Sequence, residues 1–350
     1  MKKIFFSTLF MMVLLFFTGC NNNETKQDKT DESQLKNKDE SATIAKQAKE
    51  LFAVLPDEAK NPDNPVTPEK VTLGKALYYD KRLSKDNTQS CNTCHNLDTY
   101  GVDNQPFSKG NNGGFGGRNS PTTLNAAFHI AQFWDGREKD VEAQAGGPVL
   151  NPVEMEMPNE KAVVDRLLKI KEYPGLFQKA FPGEKNPVTF ENVKKAIGAY
   201  ERKLVTPSKF DKYLAGDENA LNAQEKQGLE TFINVGCATC HSGALLGGNM
   251  FQKFGIYGDY WKETKSKKID NGKFDVSKDE KDKFVFKVPS LRNIEKTYPY
   301  FHDGSVPDLN NAVKIMAKLE LNKTLTEKQV DEIVTFLKTL TGELNPDLKQ

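Results

Sequence analysis

Two short stretches of this chain pair cysteines with a histidine, "CNTCH" at 91–95 and "CATCH" at 237–241. The pattern Cys-x-x-Cys-His occurs in zinc half-sites, in thiol redox pairs and at sites of covalent c-type haem attachment. A structural zinc site needs two nearby pairs of ligands, whereas these pairs lie well over a hundred residues apart. A redox dithiol does not need the histidine. The pattern and its spacing therefore favour haem attachment.

In a c-type site each residue of the motif has a task. The thiols form thioethers with the haem vinyl groups, and the histidine ligates the iron. The fifth cysteine, Cys20, lies far outside both motifs. We therefore predict two covalently bound haem c groups, held by Cys91, Cys94 and His95 at the first motif and by Cys237, Cys240 and His241 at the second.

The sixth iron ligand decides function, because an iron with two protein ligands passes electrons while an open iron binds peroxide or oxygen. After the second motif the methionines are Met250 and Met316. Met250 follows His241 too closely to reach the opposite haem face, so Met316 is the better candidate. No comparable ligand is evident for the first haem. His129, in an apolar stretch, is predicted to be a satisfied core histidine.

The N-terminus has the layout of an export signal. Residues 1–19 run from two lysines through an apolar stretch to small residues, as in bacterial secretory signals. Thr18-Gly19-Cys20 resembles the lipoprotein processing site, which predicts acylation of Cys20. Residues 20–45 are polar and predict a disordered tether. We expect a periplasmic or otherwise extracytoplasmic protein, tethered to a membrane by lipid.

Composition predicts two folded domains and excludes one class of partner. Hydrophobic residues make up 37% of 350 residues, enough for two cores, which we place at 46–205 and 206–350 with one motif each. With 49 basic and 48 acidic residues, no polycationic surface indicates nucleic acid binding.

Helical periodicity dominates, so the fold class is predicted to be mostly α. Thr67 and Thr189 are predicted to cap helices. Thr326 and Gln329 form a predicted capping box, with Gly342 as the terminator of that helix. Long loops lie between the helices. Residues 108–123 closely follow the first motif and predict a functional loop, whereas the highly charged 262–283 predicts a solvated excursion.

The chain closely resembles the bacterial di-haem cytochrome c peroxidases, a family that includes the MauG-type enzymes. The resemblance extends from Thr67 to Gly342. It is carried, in the family's order, by "LGKALYYDKRLS", "SCNTCHNL", "RNSPT", "AQFWDGR", "GPVLNPVEM", "GCATCHSG", "FKVPSLRN" and "YPYFHDGS". It implies two cytochrome-c-like haem domains with long loops, and commonly a homodimer.

The resemblance also implies roles for individual residues. The N-terminal haem would react with hydrogen peroxide, and the C-terminal haem, ligated by Met316, would receive electrons from cytochrome c or a small copper protein. Trp134 matches the tryptophan between the haems, and Glu154 and Gln144 match the distal pocket of the first haem. A positioned carboxylate such as Glu154 could move the proton that O–O cleavage requires.

A calcium site between the domains is a further implication. Asn119, Thr297 and Pro299 match its ligands, with one side-chain oxygen and two backbone carbonyls. Hard oxygen ligands suit Ca²⁺.

One position departs from the family pattern. Many members carry a histidine in the loop after the first motif, which blocks the first iron until the other haem is reduced. The matching residue here is Asn111, and the loop contains no histidine. We therefore expect an open first haem in the fully oxidised protein. The alternatives are a MauG-like oxidase of a protein substrate, against which Met316 argues, and a non-enzymatic di-haem electron carrier.

Overall fold

The computed structural model describes residues 43–350, most of whose regular structure is helical. The α-helices are α1 (43–51), α2 (Pro68–Tyr79), α3 (Cys91–Cys94), α4 (Val141–Leu150), α5 (Glu160–Leu168), α6 (Tyr173–Ala180), α7 (Phe190–Glu201), α8 (Lys209–Leu214), α9 (Ala223–Val235), α10 (Tyr260–Thr264), α11 (Phe274–Ser277), α12 (Leu309–Leu321) and α13 (Glu327–Lys338). Strands β1 (Phe251–Lys253) and β2 (Val285–Lys287) pair antiparallel, with Phe251 opposite Lys287. This confirms the mostly α class.

The first core lies among α2, α4, α5, α6 and α7. Leu73, Leu77, Phe177 and Ile197 are fully buried within it. The Thr67 side chain accepts a hydrogen bond from the Lys70 amide and begins α2, as predicted. Such a cap satisfies one of the amide groups that the first helical turn leaves unpaired. The Thr189 cap on α7 is likewise confirmed.

The second core joins α1, α8, α9 and α13. Phe210 packs edge to face on Phe52 and on Phe336. The capping box of Thr326 is confirmed at the start of α13. The predicted terminator is wrong, because α13 ends at Lys338, and Gly342 instead bridges to Ser208 and donates its amide to the Asn293 side chain.

Each end of the described chain packs against elements from the other half of the sequence. Ile44 and Ala48 of α1 are buried in the second core, although they precede all of the first. Leu344 is buried with Tyr78 and Tyr200 beside the first motif, and the Tyr200 hydroxyl donates to the Leu348 carbonyl at 2.5 Å. The boundary between 46–205 and 206–350 stays a prediction, since these terminal segments pack across it.

Most of the predicted N-terminal features lie outside the described residues. These are the signal at 1–19, Cys20 and all but the last three residues of the tether, 43–45, which are helical. Between residues 43 and 350, no helix combines the length and apolarity needed to cross a bilayer.

A buried ion pair fixes the loop that follows the second motif. The Arg292 guanidinium binds both carboxylate oxygens of Asp211 at 2.8 Å and donates to the Ala244 carbonyl. The Asp211 carboxylate also accepts the Leu55 amide. Burial by itself raises the pKa of Asp211, but the hydrogen bonds and charge of Arg292 outweigh this and hold the pKa below its usual value.

We expect Asp211→Asn to lower the free energy of unfolding by about 3–5 kcal/mol, because it leaves the Arg292 charge buried without a partner. Thermal unfolding measures this. The matched control is Asp165→Asn, which breaks an exposed pair with Lys161 and is expected to cost less than about 1 kcal/mol. Because the Asp211 pKa is depressed on folding, its contribution is complete at neutral pH and is lost in acid, as the pH falls through the folded-state pKa. Equal losses of unfolding free energy in the two variants at neutral pH would contradict this prediction.

Candidate haem sites

The first motif forms the short helix α3. The Ser90 amide donates to the Thr93 hydroxyl at 3.0 Å, and the His95 amide donates to the Cys91 carbonyl at 2.9 Å. Helical spacing places Cys91 and Cys94 on one side of this turn. The buried Tyr78 hydroxyl donates to the His95 carbonyl at 2.6 Å and so holds the end of the motif.

The donor set of the first motif fits a haem. Neither cysteine forms a disulfide, and burial raises the pKa of the Cys94 thiol to about 11. His95 Nδ1 is buried without a well-formed hydrogen bond to any described residue. Burial lowers the pKa of His95 and outweighs the charge of Asp103 and the backbone of Gly101 and Pro121, which act in the opposite direction. A neutral, buried imidazole is suited to ligate iron.

The second motif follows α9, whose C-terminal cap is Gly236 with φ 106°. His241 Nδ1 lies 3.0 Å from the Leu246 carbonyl, and its side chain is buried. A donor contact from Nδ1 to a carbonyl leaves Nε2 free to ligate a metal and fixes the ring. The cysteines of this motif form no disulfide either. This arrangement therefore fits the proximal side of a haem.

A large cavity brings Met316 together with the second motif. Cys237, Cys240, His241 and Met316 all line it, whereas Met250 does not. Much of its remaining wall is apolar, formed by residues such as Phe232, Leu291, Ile294, Leu309, Val313 and Leu337. Because α12 is remote from the motif in sequence, it can supply a ligand from a different direction. The cavity fits a haem with a thioether available to its iron.

Trp134 lines the same cavity and is fixed at two points. Its indole N–H donates to the Asn119 carbonyl at 2.9 Å, and its own carbonyl accepts the Lys287 amide at 2.8 Å. The ring is half-buried, with its centroid 6.4 Å from that of His302. The tryptophan therefore joins the strand β2 to the loop that follows the first motif.

Glu154 lies in the turn after α4, and its charge acts on Cys94 of the first motif. Its carboxylate accepts a hydrogen bond from Asn151 at 3.1 Å and contributes to the raised pKa of Cys94. Burial raises the pKa of Glu154, while Arg137 and Asn151 act in the opposite direction. Gln144 lies in α4, half-buried, and shares no hydrogen bond with Glu154 in the described structure. The carboxylate can thus carry a proton closer to neutral pH than an exposed one.

Asn111 is tied into a polar network beside Glu154. Its amide N–H donates to the Glu154 carbonyl at 2.7 Å. Its side chain accepts from Thr88 at 3.0 Å and donates to Asp86 and Glu156 at 3.2 and 3.1 Å. The side chain at this loop position is therefore engaged with three residues from two other segments.

Gly110 makes this close approach possible. A Cβ atom at residue 110 would lie 1.6 Å from the Val153 carbonyl oxygen, so a larger residue would push the loop away from the Glu154 turn.

The predicted calcium ligands line one cavity. Asn119, Thr297 and Pro299 all line the cavity of the second motif. The Asn119 side-chain amide donates to the Gln105 carbonyl at 2.9 Å, which leaves its oxygen as an acceptor. No group of three or more His, Cys, Asp or Glu side chains within residues 43–350 has the arrangement of a metal site. The proposed ligand set, one amide and two carbonyl oxygens, is of another kind and stays a prediction.

Two interpretations of the sequence need correction. The 262–283 segment is more than a solvated excursion, because Asp270 pairs with Arg118 through two hydrogen bonds of 2.7 and 2.8 Å. Arg118 also pairs with buried Asp135. His129 is hydrogen-bonded at one ring nitrogen only. Its Nδ1 accepts a hydrogen bond from Lys287, while its Nε2 is buried without a partner in the described chain. Sequence patterns gave no signal for these pairings, since the partners lie far apart along the chain.

The chain is similar to proteins already characterised. A family described as di-haem cytochrome c peroxidase matches residues 68–219. Cytochrome c551 peroxidase of Pseudomonas aeruginosa is 45% identical over 302 residues, covering 85% of this chain and 86% of the relative. Cytochrome c peroxidase Ccp of Escherichia coli is 42% identical over 316 residues, covering 87% of this chain and 67% of the relative. Methylamine utilization protein MauG of Methylorubrum extorquens is 35% identical, covering 80% of each.

A solved structure supports the same relationship. A MauG-like protein associated with microbial copper homeostasis superposes with a TM-score of 0.74 at 28% identity, covering 85% of this chain and 97% of that one. The likeness in sequence thus extends over both motifs and to the fold. Given these matches over most of its length, the chain belongs to the di-haem cytochrome c peroxidase family.

Proposed function

We propose that this protein reduces hydrogen peroxide to water with electrons from a small redox protein, such as cytochrome c or a small copper protein. The observation that carries the proposal is the difference between the two motifs. The second shares its cavity with the thioether of Met316. The charge of the Glu154 carboxylate acts on Cys94 of the first, and the Asn111 side chain is hydrogen-bonded to Thr88 and Glu156. One closed and one open iron site are what a peroxidase with a separate electron entry needs.

When bound, the haem groups supply the iron that takes up peroxide and the capacity to store electrons one at a time. Glu154 accepts the proton from the near oxygen of peroxide and returns it to the leaving oxygen, which departs as water. Gln144, which has no ionisable group, orients peroxide by hydrogen bonding. Two electrons and two protons convert one peroxide to two waters.

With haem bound, electrons would enter at the second site and leave it by way of Trp134, which lines its cavity. Its hydrogen bonds to the Asn119 carbonyl and from the Lys287 amide hold the indole in one orientation within the cavity. An aromatic ring held in one orientation would offer electrons the same path in every turnover.

We expect fully oxidised enzyme to turn over without prior half-reduction, because Asn111 is a poor iron ligand and its side chain is held by Thr88, Asp86 and Glu156. The measurement is peroxide-dependent oxidation of reduced cytochrome c by the purified haem-loaded protein, comparing the oxidised and half-reduced forms. Equal initial rates are expected. A lag that half-reduction abolishes would keep the peroxidase but contradict the open first haem.

The same assay separates the rival functions. A MauG-like oxidase is favoured by the absence of a loop histidine and opposed by Met316; it would show poor turnover with every small donor. A di-haem electron carrier would show two closed, low-spin irons and no peroxide reaction. Either result would overturn the proposed activity.

We further propose that Asn119, Thr297 and Pro299 bind one Ca²⁺ per chain. Since ligand charge tunes Ca²⁺ affinity, Asn119→Asp should bind at least about tenfold more tightly and Asn119→Leu should lose the ion. Calorimetric titration of chelator-treated protein measures both. If the two variants bound Ca²⁺ equally, Asn119 would not be a ligand.

The remaining proposals come from the N-terminal sequence and the family. The protein is exported to the periplasm or an equivalent compartment, and Cys20 carries a lipid anchor that the mass of the mature protein would reveal. We also propose a homodimer, which sedimentation of the haem-loaded protein tests.

A further inference from the structure

A lysine is buried in the cavity of the second motif without an acidic partner. Lys287 is 6% exposed and lies at the end of β2. Within residues 43–350 no carboxylate forms an ion pair with its ammonium group, which instead lies 2.8 Å from His129 Nδ1 in a hydrogen bond. Burial lowers the pKa of Lys287 to about 8. Buried charges are normally paired, so this lysine lacks the anion that its position requires.

His129 extends the same unit. A lysine ammonium only donates, so His129 Nδ1 accepts and the ring proton resides on Nε2. That N–H is buried without a partner in the described residues. Burial, with the charge of Lys287, holds the pKa of His129 well below its usual value. The two side chains together present one positive charge and one spare donor.

The surrounding backbone holds the pair in place. The Ile130 amide donates to the Gly248 carbonyl at 2.9 Å, and the Lys287 amide donates to the Trp134 carbonyl at 2.8 Å. A Cβ atom at residue 248, where φ is +72°, would lie 2.5 Å from the His129 ring. A glycine in the loop of the second motif therefore makes room for this imidazole.

We propose that Lys287 and His129 bind a propionate carboxylate of the second haem and thereby raise the reduction potential of that haem. Both side chains line the cavity that contains Cys237, Cys240 and His241. The thioethers occupy the vinyl side of the macrocycle, so other lining residues must meet its carboxylates. Of the described residues that line the cavity, the lysines are Lys253 and Lys287, and Lys253 is exposed.

The sign of the effect follows from charge. A cation beside the propionate offsets its negative charge, which otherwise stabilises ferric over ferrous iron. This inference rests on haem binding at the second motif and on Met316 ligation, but not on the peroxide reaction. Its failure is therefore distinguishable from failure of the proposed activity.

The test is a spectroelectrochemical titration of the haem-loaded protein, with the second haem followed by its methionine-to-iron charge-transfer band. Lys287→Met should shift the ferric–ferrous equilibrium at least tenfold toward ferric, which is about 59 mV for one electron. Lys253→Met, which removes the same charge from the exposed rim, should shift it far less. Resonance Raman spectra should show altered propionate bending modes in Lys287→Met but not in Lys253→Met.

A second variant covers the case in which Lys287→Met does not load haem. His129→Leu keeps the lysine but removes the Nε2 donor, and should shift the equilibrium in the same direction by a smaller factor. Equal potentials in Lys287→Met and Lys253→Met, with unchanged propionate modes, would overturn the proposal. For His129→Leu, a wild-type potential with unchanged modes would do the same. A shift confined to the first haem would also overturn it.

Discussion

Replacing Glu154 with glutamine lowers kcat/KM for peroxide by about 10²–10⁴-fold, the range that a positioned acid–base group contributes. Glutamine keeps the size and the hydrogen-bond acceptor facing Asn151 but cannot carry a proton. Steady-state kinetics with reduced cytochrome c measure the loss. Haem content and the potential of the second haem should stay unchanged, since Glu154 does not line the cavity of the second motif.

Glu154 also predicts the pH profile. Its basic form accepts the first proton, and burial raises the pKa of this carboxyl. Activity should therefore fall as the pH drops through a value above the usual glutamate range, and Glu154→Gln should lose this limb. The matched control is Glu160→Gln, an exposed carboxylate at the start of α5 that should leave the rate and profile unaltered. Wild-type kinetics in Glu154→Gln would remove it from the mechanism.

Replacing Met316 with leucine lowers the potential of the second haem and slows electron entry. Thioether ligation favours ferrous iron, so its loss should shift the ferric–ferrous equilibrium at least tenfold, about 59 mV, toward ferric. Turnover with reduced cytochrome c should fall by at least about tenfold, because the donor then faces an uphill step. The charge-transfer band of the methionine-ligated iron should disappear.

The control for this experiment is the other methionine after the second motif. Met250→Leu changes a side chain outside the cavity, at a residue whose carbonyl accepts the Val288 amide. It should keep the band, the potential and the turnover. If Met250→Leu lost the band and Met316→Leu kept it, the ligand assignment would be reversed.

The sequence alone was sufficient to predict the elements whose signals are local. The caps at Thr67, Thr189 and Thr326 are confirmed, because each depends on residues within one helical turn. The motifs at 91–95 and 237–241 were legible for the same reason. The predicted terminator Gly342 failed since its backbone is held by Asn293, a tertiary contact that no local pattern encodes.

The site was predictable only where a single residue type carries the chemistry. Met316 could be selected because few methionines exist to compete with it. The Lys287–His129 contact could not be found in this way, because it joins residues 158 positions apart. Nor could the network around Asn111, whose partners come from separate segments. Such pairings depend on how loops pack, and composition or periodicity does not determine this.

The crossing of the chain ends constrains the order in which the molecule can be assembled. Leu344 is buried against Tyr78 and Tyr200, and Cys91 packs against the same cluster. Residue 344 follows both motifs in the chain, so this cluster cannot close until both motifs have been synthesised. The first motif therefore remains uncovered until the second has also been made. An enzyme that attaches haem can thus reach both motifs before Leu344 packs beside the first.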